Sequence, residues 1–479
     1  MRLLLVVLTS LAITIPVLSQ IELDVVYPRF NPDGEPPVIG DVDSTFVFGS
    51  VKPADCLLLI NGVGARIYPN GSFIAYAPVD RKEMVFTFTE GGSGTLLRTL
   101  PFVFPQPREK KTLDVKLPVV LKVTNPHSVM RYGDDTGVYY LFPAEGAVFE
   151  SDRTMGGYFG HRLNNEECVY IEERFVEIQE NVSAPPIKKV YSIKAIDFPN
   201  EVKITVPSGN CPLHRIVEEN NPPRLDLFVY NVVSHIDIIH NNSSYLREIR
   251  WAQDFPETMR LSLFPASSKI WGYYTEICDV GNLVLHLRKP PEDLKLKGLI
   301  IAIDAGHGGA NYGAIGPTRL SEKEINLTLA KKMEKLLRKK GAEVFMTRTE
   351  DKNVGLYDRM DAAFKAGAHL FISIHNNALP DGEKPDEHRG LGVYYYHPQS
   401  LEFARCLHNS LLKKTRQIDD GLIYDNLAVP RTTYMPSVLV EAAYIMHPEG
   451  EYLLRSEKFQ KRFASGIYLG IKDYLESLK

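Results

Sequence analysis

The chain is poor in cysteine. It has five in 479 residues, Cys56, Cys168, Cys211, Cys278 and Cys406, and no two of them stand as Cys-x-x-Cys. That excludes a cysteine zinc ribbon and a thioredoxin-type redox pair. The count is odd; one disulfide within residues 160–280 is compatible with it, but spacing does not pair the thiols. Excess positive charge is also lacking. Lys and Arg number 55 against 59 Asp and Glu, for a net charge of −4. The electrostatic footprint of a nucleic-acid binder is therefore absent, and nucleic acid is not an expected partner. Beyond residue 20 no run is apolar and long enough for a membrane span. There is no internal repeat and no low-complexity tract, so a solenoid is excluded.

One apolar run does exist, at the start: "MRLLLVVLTSLAITIPVLSQ". A single Arg, an apolar core and the small Ser19 make it a signal peptide over residues 1–19, cut near Ser19 or Gln20. No Cys follows the cut, so a lipoprotein is not expected. The mature chain is expected to be exported, to the periplasm, cell envelope or exterior, and not to be an integral membrane protein.

Such length predicts several domains. Two regimes meet at "LRKPPEDLKLKG", residues 287–298. Before it, short β-type runs alternate with turn residues, including the hairpin signals Asn61-Gly62 and Asn70-Gly71. This stretch divides into all-β modules over 21–108, 113–185 and 186–292, with the charged "PQPREKKTLD" as a linker after the first. After residue 297 the period changes. "LIIAID" reads as a strand buried on both faces. "SEKEINLTLAKKMEKLLRKKG" has Ile325, Leu329, Met333, Leu336 and Leu337 on one helical face, a capping box from Ser321 and Glu324, and Gly341 as its stop. "EVFMTR", "HLFISIH", "GVYYY" and "SVLVEAAY" read as further strands, with helices at "LYDRMDAAFKAG", near 399–415 and over about 457–477. "RQIDDGLIYDNLAVPRTTYM" reads as turns. The fold class is thus multidomain: all-β modules, then an α/β domain over 293–479 with a mostly parallel or mixed sheet flanked by helices.

Reactive groups in such sheets lie at the carboxyl ends of strands. His307 follows "LIIAID" inside the glycine-rich "GHGG", His375 ends "LFISIH", Glu441 ends "SVLVE", and Glu322 opens the first helix. Two imidazoles and a carboxylate suit Zn²⁺, and a second carboxylate is then free to accept a proton from water. The glycines alone could cradle a phosphate, but "GHGG" lacks the following Lys-Ser/Thr. Glu322 is preferred to Glu324 because the capping box occupies Glu324. His369, His397 and His447 are read as surface or capping groups, and His388 as exposed in "PDGEKPDEHRG".

"IDAGHGGANYGAIGP", "EKEINLTLAKKMEKLL", "VFMTR", "LYDRMDAAFKAGAHLFISIHNNA", "GLGVYYY" and "MPSVLVEAAYI" occur in an order that resembles the zinc-dependent N-acetylmuramoyl-L-alanine amidase family. The resemblance implies His307, Glu322 and His375 as zinc ligands and Glu441 as the catalytic group. It implies cleavage of the amide between N-acetylmuramic acid and L-alanine in peptidoglycan. The chain departs from the family at Ala305, at Asn376 and in "EAAYI" around Glu441, but keeps all four residues. The modules in front resemble immunoglobulin-like, bacterial SH3-like and AMIN domains. The alternatives are a zinc peptidase acting within the stem peptide and a non-catalytic wall-binding protein. No segment reads as an extra helix that would plug the cleft. Residues 293–479 are therefore expected to act alone on soluble muropeptides, the modules serving attachment to intact wall.

Overall fold

The computed structural model describes residues 21–29, 36–79, 83–90, 93–106, 112–133, 137–164 and 166–479. The signal peptide read over 1–19 and half of the charged linker, residues 107–111, lie outside them. The chain forms two compact units. One comprises residues up to 105 with the short segments 316–319 and 380–385; the other comprises the remainder.

The first unit contains two four-stranded sheets, built from strands between Glu22 and Pro101. Phe73, Phe86, Leu58 and Ile60 fill the space between them. Asp381 belongs to this unit. It accepts hydrogen bonds from the Thr45 hydroxyl (2.7 Å), the Gly40 N–H (2.8 Å) and the Tyr27 hydroxyl.

The second unit begins with β structure. Strands between Val119 and Ile178 make a five-stranded and a three-stranded sheet around Phe149, Phe159 and Ile171. Strands between Lys188 and Arg288 make a five-stranded and a four-stranded sheet. Alternate residues face inward there, as a sheet with one covered face requires: Val202, Ile204 and Val206 are fully buried.

The α/β domain follows. Its strands are β1 (Ile300–Ala305), β2 (Glu343–Met346), β3 (Leu370–Asn377), β4 (Leu391–Tyr395), β5 (Asp419–Tyr424) and β6 (Ser437–Tyr444); its helices are α1 (Glu322–Lys339), α2 (Asp358–Lys365), α3 (Pro398–Thr415), α4 (Pro448–Arg455) and α5 (Glu457–Ser477). The sheet order is β2-β1-β3-β6-β4-β5. The β1, β2, β3 and β6 pairings are parallel, whereas β4 runs antiparallel to β6. The continuous apolar run of β1 is explained by burial of Ile301, Ala302 and Ile303 on both faces. α1 buries Ile325, Leu329, Met333 and Leu337. It stops at Gly341, whose φ is +97°. The Ala342 N–H reaches the Leu337 carbonyl at 3.1 Å, the bond that closes a Schellman turn.

Two local readings are corrected. The capping box is not formed: Ser321 is the N-cap residue of α1 but makes no side-chain cap bond, and its Oγ is buried without a partner. And "DDGLIY" is not a turn but the edge strand β5, paired parallel with β4. Its polar residues suit an edge, which has a neighbour on one side only. The five cysteines are free thiols. Among the described residues no helix is long and apolar enough to cross a membrane.

Trp271, which precedes the composition shift, is fully buried in the core of the α/β domain with Phe403, Phe463 and Ile471. Its ring stacks on Tyr474 with centroids 6.2 Å apart. Gly272 has φ +151°, and a Cβ there would lie 2.3 Å from the Tyr434 carbonyl oxygen. The Tyr273 N–H donates to the Thr433 carbonyl at 2.8 Å, and Arg288 Nη1 to the Tyr434 carbonyl at 2.7 Å. Trp271→Ala is expected to cost about 3–5 kcal/mol, the range for emptying a packed aromatic site. A fragment beginning at residue 293 leaves the same gap and should melt well below the full chain. Denaturant and thermal melts of both proteins check this; melts that match the parent's would show that the indole contributes little.

Candidate metal centre

β1 must end abruptly, because the loop after it crosses the end of β3. Gly306 makes this possible. A Cβ at that position would lie 2.2 Å from His375 Nε2. Gly313, at φ +66°, is crowded from the other side: a Cβ there would be 2.3 Å from Glu322 Oε2 and 2.6 Å from His307 Cδ2. Gly306 and Gly313 are therefore where backbone approaches the reactive side chains, and His307 itself sits in the left-handed region, at φ +61°.

Two buried arginines hold this loop. Arg359, from the first turn of α2, donates to the carbonyls of Ala305 (2.9 Å), His307 (3.0 Å) and Val354 (3.1 Å). Arg348, just after β2, donates to those of Ala305 (2.8 Å), Gly306 (3.0 Å) and Lys323 (2.7 Å). The counter-charge is Asp304, fully buried at the end of β1. It accepts from Arg359 Nη1 at 2.7 Å and from the Thr347 and Ser373 hydroxyls at 2.6 Å each. Burial opposes its ionisation, but Arg359 and the two hydroxyls outweigh that and hold the carboxyl below its ordinary value.

The four residues read from the sequence meet here. Glu322 is the first residue of α1, with its side chain buried. Its Oε1 lies 2.9 Å from His375 Nδ1 and its Oε2 3.0 Å from His307 Nε2. Backbone N–H groups of Asn376 (3.1 Å) and Ala314 (2.8 Å) donate to the same carboxylate, and Asn326 Nδ2 donates to it at 3.2 Å. Burial works to raise its pKa; the two imidazoles overcome this and hold it far below the usual carboxylate range. Burial likewise opposes a charge on His307, yet the Glu322 bond leaves that ring above its ordinary value. Ligand atoms of His307, Glu322 and His375 all lie within 4.8 Å of one another.

A metal fits these donors. Two imidazole nitrogens and one carboxylate oxygen are the set that zinc accepts, and ligands about 2.0–2.2 Å from a tetrahedral ion stand roughly 3–4 Å apart. Asn311 prepares one of them. Its Oδ1 accepts the Gly313 N–H at 3.1 Å, which identifies that atom as the oxygen, and lies 3.1 Å from His307 Nδ1. Nδ1 is therefore the protonated nitrogen, and Nε2 is left as the ligating atom.

Glu441 lies on β6, directly opposite His375 in the parallel ladder. Its Oε2 is buried and has no hydrogen-bond partner. Burial first, then the charges of Glu322 and Asp420, push its pKa well above the usual value. Asp420 comes from the edge strand that read as a turn, and it accepts the Tyr444 hydroxyl at 2.8 Å. Sequence reasoning missed Arg348, Arg359, Asn311 and Asp420. The first two do follow recognisable strand and helix boundaries, "MTR" and "YDR". Of the remaining histidines, His447 caps α4 by accepting the Glu449 N–H, His369 Nδ1 accepts the Ile300 N–H, His388 is exposed, and His397 is buried against the Arg431 carbonyl. His397, read as a surface or capping group, stands at the N-cap position of α3 but is buried and makes no side-chain cap bond.

Comparison with known proteins gives a consistent set of likenesses. Residues 301–473 match the family described as N-acetylmuramoyl-L-alanine amidase. The chain is 37% identical over 184 residues to the probable cell wall amidase LytH of Staphylococcus epidermidis, covering 38% of this chain and 60% of that protein. It is 34% identical over 198 residues to the probable cell wall amidase LytH of Staphylococcus aureus, covering 41% and 65%. The chain thus spans less than two thirds of either relative. Among solved structures it is similar to the catalytic domain of CwlV, an N-acetylmuramoyl-L-alanine amidase from Bacillus (Paenibacillus) polymyxa var. colistinus, with 36% identity, 37% of this chain and 98% of that chain covered, and a TM-score of 0.35.

Two substitutions probe the supports of this site. Asp304→Asn leaves Arg359 buried without its anion and should cost about 3–5 kcal/mol at neutral pH. Because the folded-state pKa is depressed, that stabilisation is present above the unfolded value of about 3.9 and is lost as pH falls through the folded one. The stability gap between variant and parent, read from urea melts, should therefore narrow in acid. Asn311→Ala should weaken zinc binding about 10–100-fold in a chelator competition while the melting temperature of the metal-free protein stays put. Unchanged affinity would remove Asn311 from the account.

Proposed function

We infer, from the match of residues 301–473 to the N-acetylmuramoyl-L-alanine amidase family, that the chain hydrolyses the amide joining N-acetylmuramic acid to L-alanine in peptidoglycan. The observation that supports this best is the convergence of His307, Glu322 and His375, with Glu441 opposite His375 in the ladder. In this reading His307, Glu322 and His375 hold Zn²⁺ and Glu441 is the catalytic base. Zinc, when bound, supplies the Lewis acidity that polarises the amide carbonyl and acidifies water.

The chain's own residues do the rest. Glu441 accepts the proton of the attacking water and passes it to the departing alanine nitrogen. Its buried, partnerless Oε2 suits a group that must carry a proton between two positions. Glu322, held by backbone N–H groups, stays ionised. Arg359 and Arg348 fix the loop that carries His307, so that the imidazole is oriented before substrate arrives. Between β4 and β6 the only helix is α3, so the segment from Tyr396 to Pro436 brings no additional helix to the cleft. The site of action is the cell envelope, reached by export, and peptidoglycan is the partner; the modules ahead of the enzyme domain serve attachment to the wall.

Two measurements test this together. Purified protein is incubated with muropeptides and the products are read by mass spectrometry. Free stem peptides beginning with L-Ala, with peptide-free glycan, are expected; cuts inside the stem would make the chain a peptidase, and no products a binding protein. Chelation should abolish the reaction and Zn²⁺ restore it. Glu441→Gln should keep stoichiometric zinc and lose about 10²–10⁴-fold or more in rate. Glu322→Gln should instead lose zinc, and the opposite pattern would exchange the two roles.

A further inference from the structure

A cavity of about 570 Å³ lies away from the metal centre, lined by residues from three parts of the second unit. Thr124, Phe142 and Glu145 come from the first β pair, His214, Tyr273 and Glu276 from the second, and Tyr357, Arg431 and Tyr434 from the α/β domain. We propose that this cavity is a second binding site, for one or two amino-sugar units of a wall glycan. The proposal rests on reading the chain as a peptidoglycan enzyme, and it extends that reading to a site that performs no chemistry.

Size and place come first. Small-ligand sites commonly measure about 300–1,000 Å³ and lie where domains meet. The lining then narrows the ligand class. Rings from Phe142, Tyr273, Tyr274, Tyr357 and Tyr434 give apolar surface with polar tips. A pyranose has the matching character, with C–H groups on its faces and hydroxyls at its rim. Glu145, Glu177 and Glu276 are among the lining residues, against only Lys122 and Arg431 as cations, and Glu276 Oε1 lies 3.0 Å from His286 Nε2. Three acidic groups repel a phosphate polymer, and so many charged and hydroxyl groups make a poor home for a lipid tail. A neutral, hydroxyl-rich ligand is the class left.

The polar groups are also held in place. His214 Nε2 lies 2.9 Å from the Thr275 hydroxyl, and burial pushes this imidazole down to about 4, so the ring is neutral at working pH. Tyr357 stacks on His127, with centroids 4.2 Å apart and ring planes 6° from parallel, and His127 Nε2 lies 3.1 Å from Asp361. Arg431 Nη1 donates to Asn426 at 2.9 Å, and its guanidinium lies 4.8 Å from the Tyr139 ring centre. Rings and hydrogen-bonding groups fixed before the ligand arrives reduce the ordering cost of binding.

The test uses the full chain and a neutral amino-sugar disaccharide, N,N′-diacetylchitobiose, which has no lactyl carboxylate, in a calorimetric titration. Saturable binding is expected, and it should persist after zinc is removed with a chelator. Glu276→Ala and, separately, Phe142→Ala should each weaken it about tenfold, the equivalent of one or two lost contacts. Neither should change the rate on a soluble muropeptide. Melting curves accompany both variants, and if one melts early the other carries the comparison. Three results would overturn the proposal: no saturable binding, binding that both variants leave unchanged, or binding abolished by chelation, which would put the sugar at the metal centre. Equal displacement by a free stem peptide would also overturn it, by making this a peptide site. A chain that binds the disaccharide as expected yet releases no stem peptide would refute the amidase reading and not this one.

Discussion

The candidate metal centre depends on one buried carboxylate that is not part of it. Asp304 sits in a dry strand end where an isolated charge would be strongly disfavoured, and it stays ionised because Arg359 faces it at 2.7 Å. The guanidinium has N–H groups to spare, and these reach the carbonyls of the loop carrying His307. Arg348 grips the same loop from the other side. Two cations this close need an anion between them and the core, and Asp304 supplies it. The left-handed backbone at His307 and the glycine contacts beneath His375 are possible because those carbonyls are already committed.

Glu322 illustrates a second economy. As the first residue of α1 it lies at the positive end of the helix dipole, where a carboxylate is favoured. Its oxygens are turned toward two imidazoles and two backbone N–H groups rather than toward the helix's own first turn. The same geometry accounts for the idle Ser321 side chain. The N–H groups of Glu324 and Ile325 approach the Ser321 carbonyl oxygen at 3.2 and 3.3 Å, so the helix start is organised by backbone. Glu322 is thus available as a ligand because the cap does not draw on side chains at all.

This bears on what could be read beforehand. His307, His375 and Glu441 were legible because a parallel sheet delivers the residues at its strand ends to one edge, and apolar runs such as "LIIAID" and "LFISIH" mark those ends well. Glu322 was chosen over Glu324 on a capping box that the structure does not contain, so its place beside the two imidazoles has a different cause from the one that selected it. Asp420 was hidden by its strand. An edge strand with two Asp and a Gly looks like a turn, since half of its backbone needs no partner. Arg348 and Arg359 stand at recognisable element boundaries, but their burial was illegible for another reason. Whether an Arg is buried is decided by distant carbonyls that converge on it, and no local pattern records them.

The boundary near residue 290 makes the same distinction between local and distant information. Composition and periodicity change there because strands that alternate give way to strands and helices that do not. Packing does not change there. Trp271 lies inside the core that holds α3 and α5, and Arg288 donates to carbonyls at Ala368 and Tyr434, one just before β3 and the other just before β6. Both β3 and β6 carry a residue of the site, His375 and Glu441, in register with each other. A segment that reads as the end of one module therefore anchors the starts of the two strands on which the site's geometry is measured. Modules whose only role was attachment to a wall could have been joined by a flexible tether. An indole in the core of the α/β domain and a guanidinium at the base of its central strands instead make the β structure of residues 188–288 a mechanical part of that domain.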